Sequence, residues 1–586
     1  MIAKSLNRIL LACIALGSLA RGADKVYNWE LTYVNNVDLT GGHPRRAIGV
    51  NGQFPAPPLE ATVGDNLIIN VRNSLDVGST LHAHGILQNG TNYYDGAAMV
   101  HQCPIPPGGN YTYNIPIAQH GTYWIHSHFR GQYVDGLRAP IVLHAQKEQY
   151  TYDAEYIVTL ADWYYEEHHV LLAKYLSIFN PSGGEPVPDA GGINGSQNAT
   201  FSFVPGKVYR LRIVNMSAFS MFDFHIDGHD LEIIEVDGVD VNTKIVQSLP
   251  ITAAQRYSVL VRAKNSTSNN FVMHADIDVG MFPAVNPNLN PNINATIIYD
   301  NNAPLYVPQS TAAEASFDDT SLVPVTAASS APPDNRIEIN VFFNVLDNGV
   351  NRGMFNNVTY LPSQVPPLFT AASMGQLASD VRVYGKHSNA FVIEHNQMIE
   401  LVINNWDADA HPFHLHGHQF QVMGRSAENA GGYDHINNPV KEQANPVRRD
   451  TVQVPAQGYV VIRFRADNPG IWLFHCHIEW HLESGLAATI VEAPQQIQAS
   501  MKIPQQSIDH CVAQGIKTTG NAVGKEGLDL GGYYDGPSPL PGKFTAKGIW
   551  ALVGCILSAI LGIATLIWFA RDDDSLAVNK TDPAEK

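Results

Sequence analysis

The sequence predicts an all-β body of three tandem β-sandwich domains, followed by one C-terminal transmembrane helix. Three observations lead there. Short alternating runs recur through the body, with Gly, Pro and Asn between them, as in half-buried strands joined by turns. Three of these runs look alike, and each is followed at a nearly fixed distance by a related histidine motif, which is the mark of an internal repeat. Finally, the uncharged run from Gly548 to Ala570 is long enough to cross a bilayer.

Taken in order, residues 1–23 read as a secretory signal. Lys4 and Arg8 form the positive end, Ile9 to Leu19 the apolar stretch, and small residues lead to Ala23. The three look-alike runs are Asn66–Asn73, Lys207–Asn215 and Met398–Asn405. Nine or ten residues after the last Asn of each come His82-Ala-His84-Gly85, His225-Ile-Asp227-Gly228 and His414-Leu-His416-Gly417. A second motif closes each copy: His126-Ser-His128, His274-Ala-Asp276 and His475-Cys476-His477. The middle copy has lost the second histidine of both motifs, so it is expected to act as a spacer and wall. The expected boundaries are 24–148, 149–300 and 336–514 for the three domains. A linker is expected over 301–335 and a Gly/Pro-rich stalk over 515–547. The helix follows over 548–570, with Trp550 and Trp568 near its ends as interfacial anchors, and a cytoplasmic tail over 571–586. The signal peptide sets the orientation, with the body outside.

The chain has 586 residues, too many for one core, and a formal net charge of −18 that disfavours nucleic acid as a partner. Asn-x-Ser/Thr sites at Asn89, Asn110, Asn194, Asn198, Asn215, Asn265, Asn294 and Asn357 fit a glycosylated, secreted surface. Of the five cysteines, Cys13 lies in the signal, Cys555 in the span and Cys476 between two histidines. Cys103 and Cys511 remain, a natural disulfide pair in an oxidising compartment.

An H-x-H on a strand turns both side chains to one face. Two such strands can therefore offer four imidazoles to one cavity. The outer domains hold four H-x-H pairs between them, and imidazole suits Cu, Zn, Fe and Ni. The third domain adds His411, Cys476 and His481, the two-His, one-Cys set of a blue-copper electron-transfer site. Leu486 stands in the axial position, ten residues after the cysteine, where a non-coordinating side chain raises the potential. Cys476 is also the residue between His475 and His477, so an electron arriving at its sulfur has a short covalent path to both. A protein that merely stored copper would need neither that bridge nor the axial leucine.

His82-Ala-His84-Gly, His126-Ser-His128, His411-Pro-Phe-His414-Leu-His416 and His475-Cys476-His477-x3-His481 resemble the four copper motifs of multicopper oxidases. The resemblance covers roughly residues 25–515 and implies cupredoxin-like domains. It implies four copper ions. His411, Cys476 and His481 would hold the type 1 copper, and His82 and His414 the type 2. His84, His126, His128, His416, His475 and His477 would hold the type 3 pair. His418 has no ligand role in that pattern. The family also places carboxylates near the cluster, matching Asp95 and Glu479, to serve proton transfer as O2 becomes water.

The motifs do not name the reductant. The anchored ectodomain is similar to fungal plasma-membrane ferroxidases of high-affinity iron uptake. These carry a Glu in a Phe-Asn-Pro loop, matched by Glu185 after Phe179-Asn180-Pro181, and an Asp four residues before the type 1 His, matched by Asp407. Carboxylates bind Fe3+ better than Fe2+ and so favour electron loss. The competing readings are a solvated loop Glu and a turn-capping Asp. The family's third iron carboxylate falls on Gly280, with Asp278 two residues away as a substitute. That departure leaves room for a laccase-like oxidase of phenols, for example in pigment (melanin) formation, with Trp406 as an aromatic wall. The expected partners are O2, a one-electron reductant (Fe2+ or a phenol) and, by resemblance, an iron permease. The expected location is the cell membrane, with the vacuolar or another secretory membrane as the alternative.

Overall fold

The computed structural model describes residues 22–266, 268–308, 317–534, 536, 537, 539 and 545–577. The expected signal peptide lies almost wholly outside the described residues. Among the described residues six sheets make up the body, two for each domain. The three look-alike runs are each a central strand: Asn66–Asn73, Val208–Asn215 and Met398–Asn405. Each pairs in parallel with the opening strand of its own domain, Asp24–Val37, Ala154–Trp163 and Asn335–Val345. Each pairs antiparallel with a later strand, Asn110–Pro116, Arg256–Arg262 and Tyr459–Arg465.

The asparagine that ends each run has the same task three times. Its side-chain amide donates to one carbonyl in the following loop and one from a distant segment: Val77 and Ile105 for Asn73, Ser220 and Ile251 for Asn215, Asp409 and Pro455 for Asn405. A buried corner is thereby kept free of unpaired backbone carbonyls. One expectation is corrected here: Asn215 is fully buried with its amide engaged, so its sequon offers nothing to a glycan. The other asparagines expected to carry glycans are exposed.

Six strands carry the histidine motifs and are numbered here: β1 Leu81–His84, β2 Gly121–Ser127, β3 Phe222–Ile226, β4 Phe271–Ile277, β5 His411–Leu415 and β6 Gly470–Cys476. In each domain the two motif strands are antiparallel neighbours, and the first histidines of the two motifs stand directly opposite: His82 with His126, His225 with His274, His414 with His475. The glycine after each first motif, Gly85, Gly228 or Gly417, has a positive φ of 85°, 64° or 68°. At Gly85 a β-carbon would stand 2.6 Å from the Arg256 guanidinium and 2.7 Å from the Asp450 carboxylate, so this turn admits no side chain.

Buried ion pairs tie the domains together. Arg449 of the third domain donates to Asp237 of the second and to Asp319 in the linker. Glu235 of the second domain accepts from the Thr122 backbone of the first (2.6 Å), from Arg210 (2.5 Å) and from Ser258 (2.6 Å). Burial works to raise this carboxyl, but Arg210 and Arg212 outweigh it and hold it at about 2. A depressed acid stabilises the fold above its unfolded value near 4.5 and loses that effect as pH falls towards 2. The shift corresponds to roughly 3 kcal/mol. Glu235→Gln is therefore expected to lower Tm at pH 7, with the gap from wild type closing below pH 4.5. Thermal melts across that range check it, and a constant gap would count against it.

Two connecting segments are better fastened than expected. In the linker, Asp319 and Leu322 are buried, and the Val325 N–H donates to the Asp240 carbonyl (2.9 Å). In the expected stalk, Asn521 and Ala522 are fully buried, and the Ala522 N–H donates to the Val383 carbonyl (2.7 Å). Residues up to about 533 thus belong to the body, which corrects the stalk's start. Gly and Pro there shape turns on a packed surface. The expected disulfide is present: Cys103 and Cys511 are bonded across 408 residues, joining the first domain to the end of the third. The C-terminal residues form a separate unit, the helix Ala546–Ala577, whose stretch from Ala546 to Arg571 is long and apolar enough to cross a membrane. It fits a single-pass anchor.

Candidate metal centres

Strands β1 and β2 of the first domain face β5 and β6 of the third, and their histidines meet in one buried cluster. The rings of His82 and His416 stack at 4.0 Å between centroids, and those of His84 and His414 at 3.7 Å. His128 lies 5.2 Å from His475, and His126 lies 5.5 Å from His477. Nitrogens of His82, His414 and His416 lie within 4.8 Å of one another, as do those of His82, His84 and His126, and those of His128, His416 and His475.

Most of these rings have one nitrogen held from outside. His82 Nδ1 bonds the Asp95 carbonyl (2.6 Å), His414 Nδ1 the Asp450 carbonyl (2.8 Å), and His416 Nδ1 the Asp95 carboxylate (2.6 Å). His126 and His475 use nearby backbone carbonyls, while His84 turns the other way, with Nε2 3.1 Å from the Asp450 carboxylate. The opposite nitrogens of His82, His84, His126, His128 and His414, and both of His477, are buried without any hydrogen-bond partner. An orphaned buried nitrogen is costly unless something binds it. Burial, and then neighbouring imidazoles, hold His84, His126, His128, His416 and His477 well below the usual histidine range, and His475 at about 3. The held rings among them, His82, His84, His126, His414, His416 and His475, are fixed in orientation by their outer partners, as metal ligands commonly are. The donor set fits copper.

The outer-shell groups include residues that the sequence did not single out. Asp450 is held by both terminal nitrogens of Arg256, a middle-domain residue, at 2.7 and 2.6 Å. The middle domain therefore helps orient His84 and His414, beyond the spacer role expected of it. On the other side, Asp95 also sits 3.4 Å from His101, whose Nε2 donates to the Ile471 carbonyl (2.6 Å). Burial works to raise Asp95, yet His82 and His101 leave it below its usual value. Glu479 opens the short helix α1, Glu479–Ser484, and is buried next to the cluster end of the third domain. Burial, and then Glu483 one turn later, push its carboxyl well up. His418 is buried with its Nε2 2.9 Å from the Glu492 carboxylate.

The second centre lies on the same strand ladder. Cys476 Sγ is 3.8 Å from His411 Nδ1 and 3.5 Å from His481 Nδ1, and the two nitrogens are 3.1 Å apart. All three residues are buried, and Leu486 packs in the same apolar cluster. The outward nitrogens each meet a carboxylate. His411 Nε2 is 3.1 Å from Asp407 Oδ2, and His481 Nε2 is 2.8 Å from Glu185 Oε1. Both carboxylates are partly exposed. Burial works to raise Asp407, but its bond to His411 lowers it. Asp409 was missed by the sequence reading. It is half-buried, and its carboxyl is raised by burial and then by Asp407 and Glu185. Asp278 is not part of this group: it is exposed, and its Oδ1 accepts from the Gly280 N–H (2.8 Å).

Comparison with known proteins agrees with this geometry. Models of the multicopper oxidase family match residues 32–148, 154–303 and 360–496. Iron multicopper oxidase fer1 of Mycosarcoma maydis is 44% identical, covering 94% of this chain and 93% of its own length. The crystal structure of Fet3p, a multicopper oxidase that functions in iron import, aligns with a TM-score of 0.85 at 35% identity, covering 88% of this chain and all of that one. A laccase from Botrytis aclada aligns with a TM-score of 0.73 at 28% identity, over 84% of this chain and 92% of its own. Each of the three domains carries a family match, and the chain is an oxidoreductase that belongs to the multicopper oxidase family.

Proposed function

We propose that this protein oxidises Fe2+ to Fe3+ at its surface and passes the electrons inward to reduce O2 to water, in iron uptake. One observation carries the choice of iron: both imidazoles of the Cys476 centre have their outward nitrogens on partly exposed carboxylates, Glu185 and Asp407. Oxygen anions on the outer side of an electron-entry site suit a hard cation that gains charge as it is oxidised. Asp409 supplies the third carboxylate that Gly280 lacks, from beside Asp407. The names of the relatives point the same way.

His411, Cys476 and His481 would hold one copper, with Leu486 beside it. His82 and His414 would hold a second, and His84, His126, His128, His416, His475 and His477 a pair. Bound copper supplies one-electron redox chemistry at the first centre and four-electron reduction of O2 at the others. The protein's own part is arrangement. Glu185 and Asp407 bind the substrate ion and place it one hydrogen bond from His481 and His411. Cys476 joins the two centres through its own backbone to His475 and His477. Asp95 and Asp450 fix the tautomers. Glu479, whose carboxyl is raised by burial and then by Glu483, is the group placed to donate protons.

Phenol oxidation is the second reading, and Trp406 is its observation: the ring is 45% exposed, next to Asp407. Its Nε1 is already committed to Asn340 Oδ1 (2.9 Å), which holds the indole in place as a wall. We place the body on the extracellular side of the cell membrane, anchored by the C-terminal helix, with an iron permease receiving Fe3+. Steady-state O2 consumption by the copper-loaded protein decides between reductants. A kcat/KM for Fe2+ at least tenfold above that for a phenol is expected, and the reverse order would overturn the ferroxidase reading.

A further inference from the structure

Two side chains of the first domain, neither of them in the copper motifs, grip β6 at one residue, Ile471. Asn92 bonds it twice: its amide nitrogen donates to the Ile471 carbonyl (2.8 Å), and its oxygen accepts from the Ile471 N–H (3.0 Å). His101 bonds the same carbonyl through Nε2 (2.6 Å). Both side chains are fully buried. The segment between them carries Asp95, and Ile471 stands four residues before His475 on β6. His101 Nδ1 accepts from the Ala97 N–H (3.2 Å), so the ring proton sits on Nε2. That N–H meets two oxygens, the Ile471 carbonyl and, at 3.4 Å, Asp95 Oδ2. The same Oδ2 is 2.6 Å from His416 Nδ1, and the rings of His101 and His416 lie within 26° of parallel. Asp95 Oδ1 is the contrast. It is buried without a hydrogen-bond partner, since His82 Nδ1, 3.3 Å away, is committed to the Asp95 carbonyl (2.6 Å).

We propose that His101 is a positioning residue for Asp95: it keeps Oδ2 beside His416 and so leaves Oδ1 as the oxygen free to hold a water at the cluster. The inference rests on the reading of Asp95 as a carboxylate that serves the histidine cluster. A carboxylate with donors at one oxygen and none at the other has a defined direction, and its own grip on His416 is defined with it. Removing the imidazole takes away one of the two N–H groups facing Oδ2 and opens buried space next to it. The carboxylate can then turn from His416, whose ring loses its outer partner. Asn92 does a different job. It fastens β6 by two bonds of its own, so the contact between the domains does not depend on His101.

The test uses the full-length, copper-loaded protein in detergent. It compares His101→Leu, His101→Gln, Asn92→Ala and Asp95→Asn by copper content, blue absorption, the EPR spectrum of the cluster copper and steady-state O2 consumption with Fe2+. His101→Leu fills the space without a donor. It is expected to keep its copper and its blue band, to shift the EPR spectrum and to lower kcat about tenfold, the scale on which outer partners of metal ligands act, with KM for Fe2+ unchanged within about twofold. His101→Gln places an amide nitrogen near the position of Nε2 and is expected to restore both spectrum and kcat. Asn92→Ala is expected to lower Tm and leave the EPR spectrum as in wild type. Should the leucine variant fail to fold, His101→Thr, polar but too short to reach either acceptor, takes its place with the same expectation. A wild-type spectrum and kcat without the imidazole overturn the proposal. So does a glutamine variant as impaired as the leucine one, or an Asn92→Ala variant with the same spectral shift, which would reduce His101 to a fastener of β6. Asp95→Asn separates the two levels: if it is impaired while His101→Leu is not, this proposal alone fails, and if it is unimpaired, the reading of Asp95 fails with it.

Discussion

Cys476→Ser is expected to give a folded, colourless protein that consumes no O2 above background with either Fe2+ or a phenol. Three facts set the size of the effect. Cys476 places its sulfur between His411 and His481, and in the proposed reading that soft thiolate is what makes the site a blue-copper one. A serine oxygen is harder, far less acidic and gives no such colour. Cys476 is also the link in the chain to His475 and His477, so its loss closes the entry route for every reductant at once. A fall on the order of 1000-fold or more is expected, the scale on which members of one catalytic unit fail together. Folding should survive. The Cys476 N–H donates to the Leu486 carbonyl (3.1 Å) whatever the side chain. Serine is nearly the same size, and its hydroxyl has two imidazole nitrogens within reach. Absorption spectra, O2 uptake and a melt of the copper-free protein measure the three parts. A blue, active variant would sink the assignment.

The clustering of the histidine motifs was legible because alternation on a strand is a local rule: residues two apart share a face. The repeat then made three local patterns confirm one another. Groups whose role rests on a distant partner were not legible. Asp450 touches His84 from 366 positions away and is held by Arg256 from the middle domain. Nothing near Arg448-Arg449-Asp450 in sequence announces that contact. Asn215 shows the converse failure. As a three-residue pattern it is a glycosylation site, but as the end of a central strand it is a buried corner. The stalk misread has a similar cause. Gly and Pro mark turns, and composition alone does not tell a turn packed against Val383 from one in solvent. Asp409 was legible in principle, as a second carboxylate in Asp407-Ala408-Asp409. The role proposed for it rests on its closeness in charge to Glu185, which comes from another domain.

Glu185→Ala combined with Asp407→Ala is expected to lower kcat/KM for Fe2+ by roughly 10- to 100-fold, the usual cost of removing groups that orient metal ligands or hold a metal. The same variant should change kcat/KM for a bulky phenol only a few-fold. The asymmetry follows from what each substrate needs. A phenol is uncharged and loses its own proton as it is oxidised, so the carboxylates add little. Fe2+ must exchange water for anionic oxygens, and the product bears one more positive charge, so the carboxylates stabilise the later state more than the earlier one. The loss should fall on both kcat and KM: on KM because the ion is held less well, on kcat because its potential rises towards that of the copper. Asp409 remains in the double variant and should preserve a residual activity, which Asp409→Ala then removes. The carboxylates also contact His411 and His481, so their loss will alter the blue centre to some degree. The phenol rate serves as the internal measure of that change. Equal losses on both substrates would mean that Glu185 and Asp407 only orient the imidazoles, and the ferroxidase reading would lose its structural support.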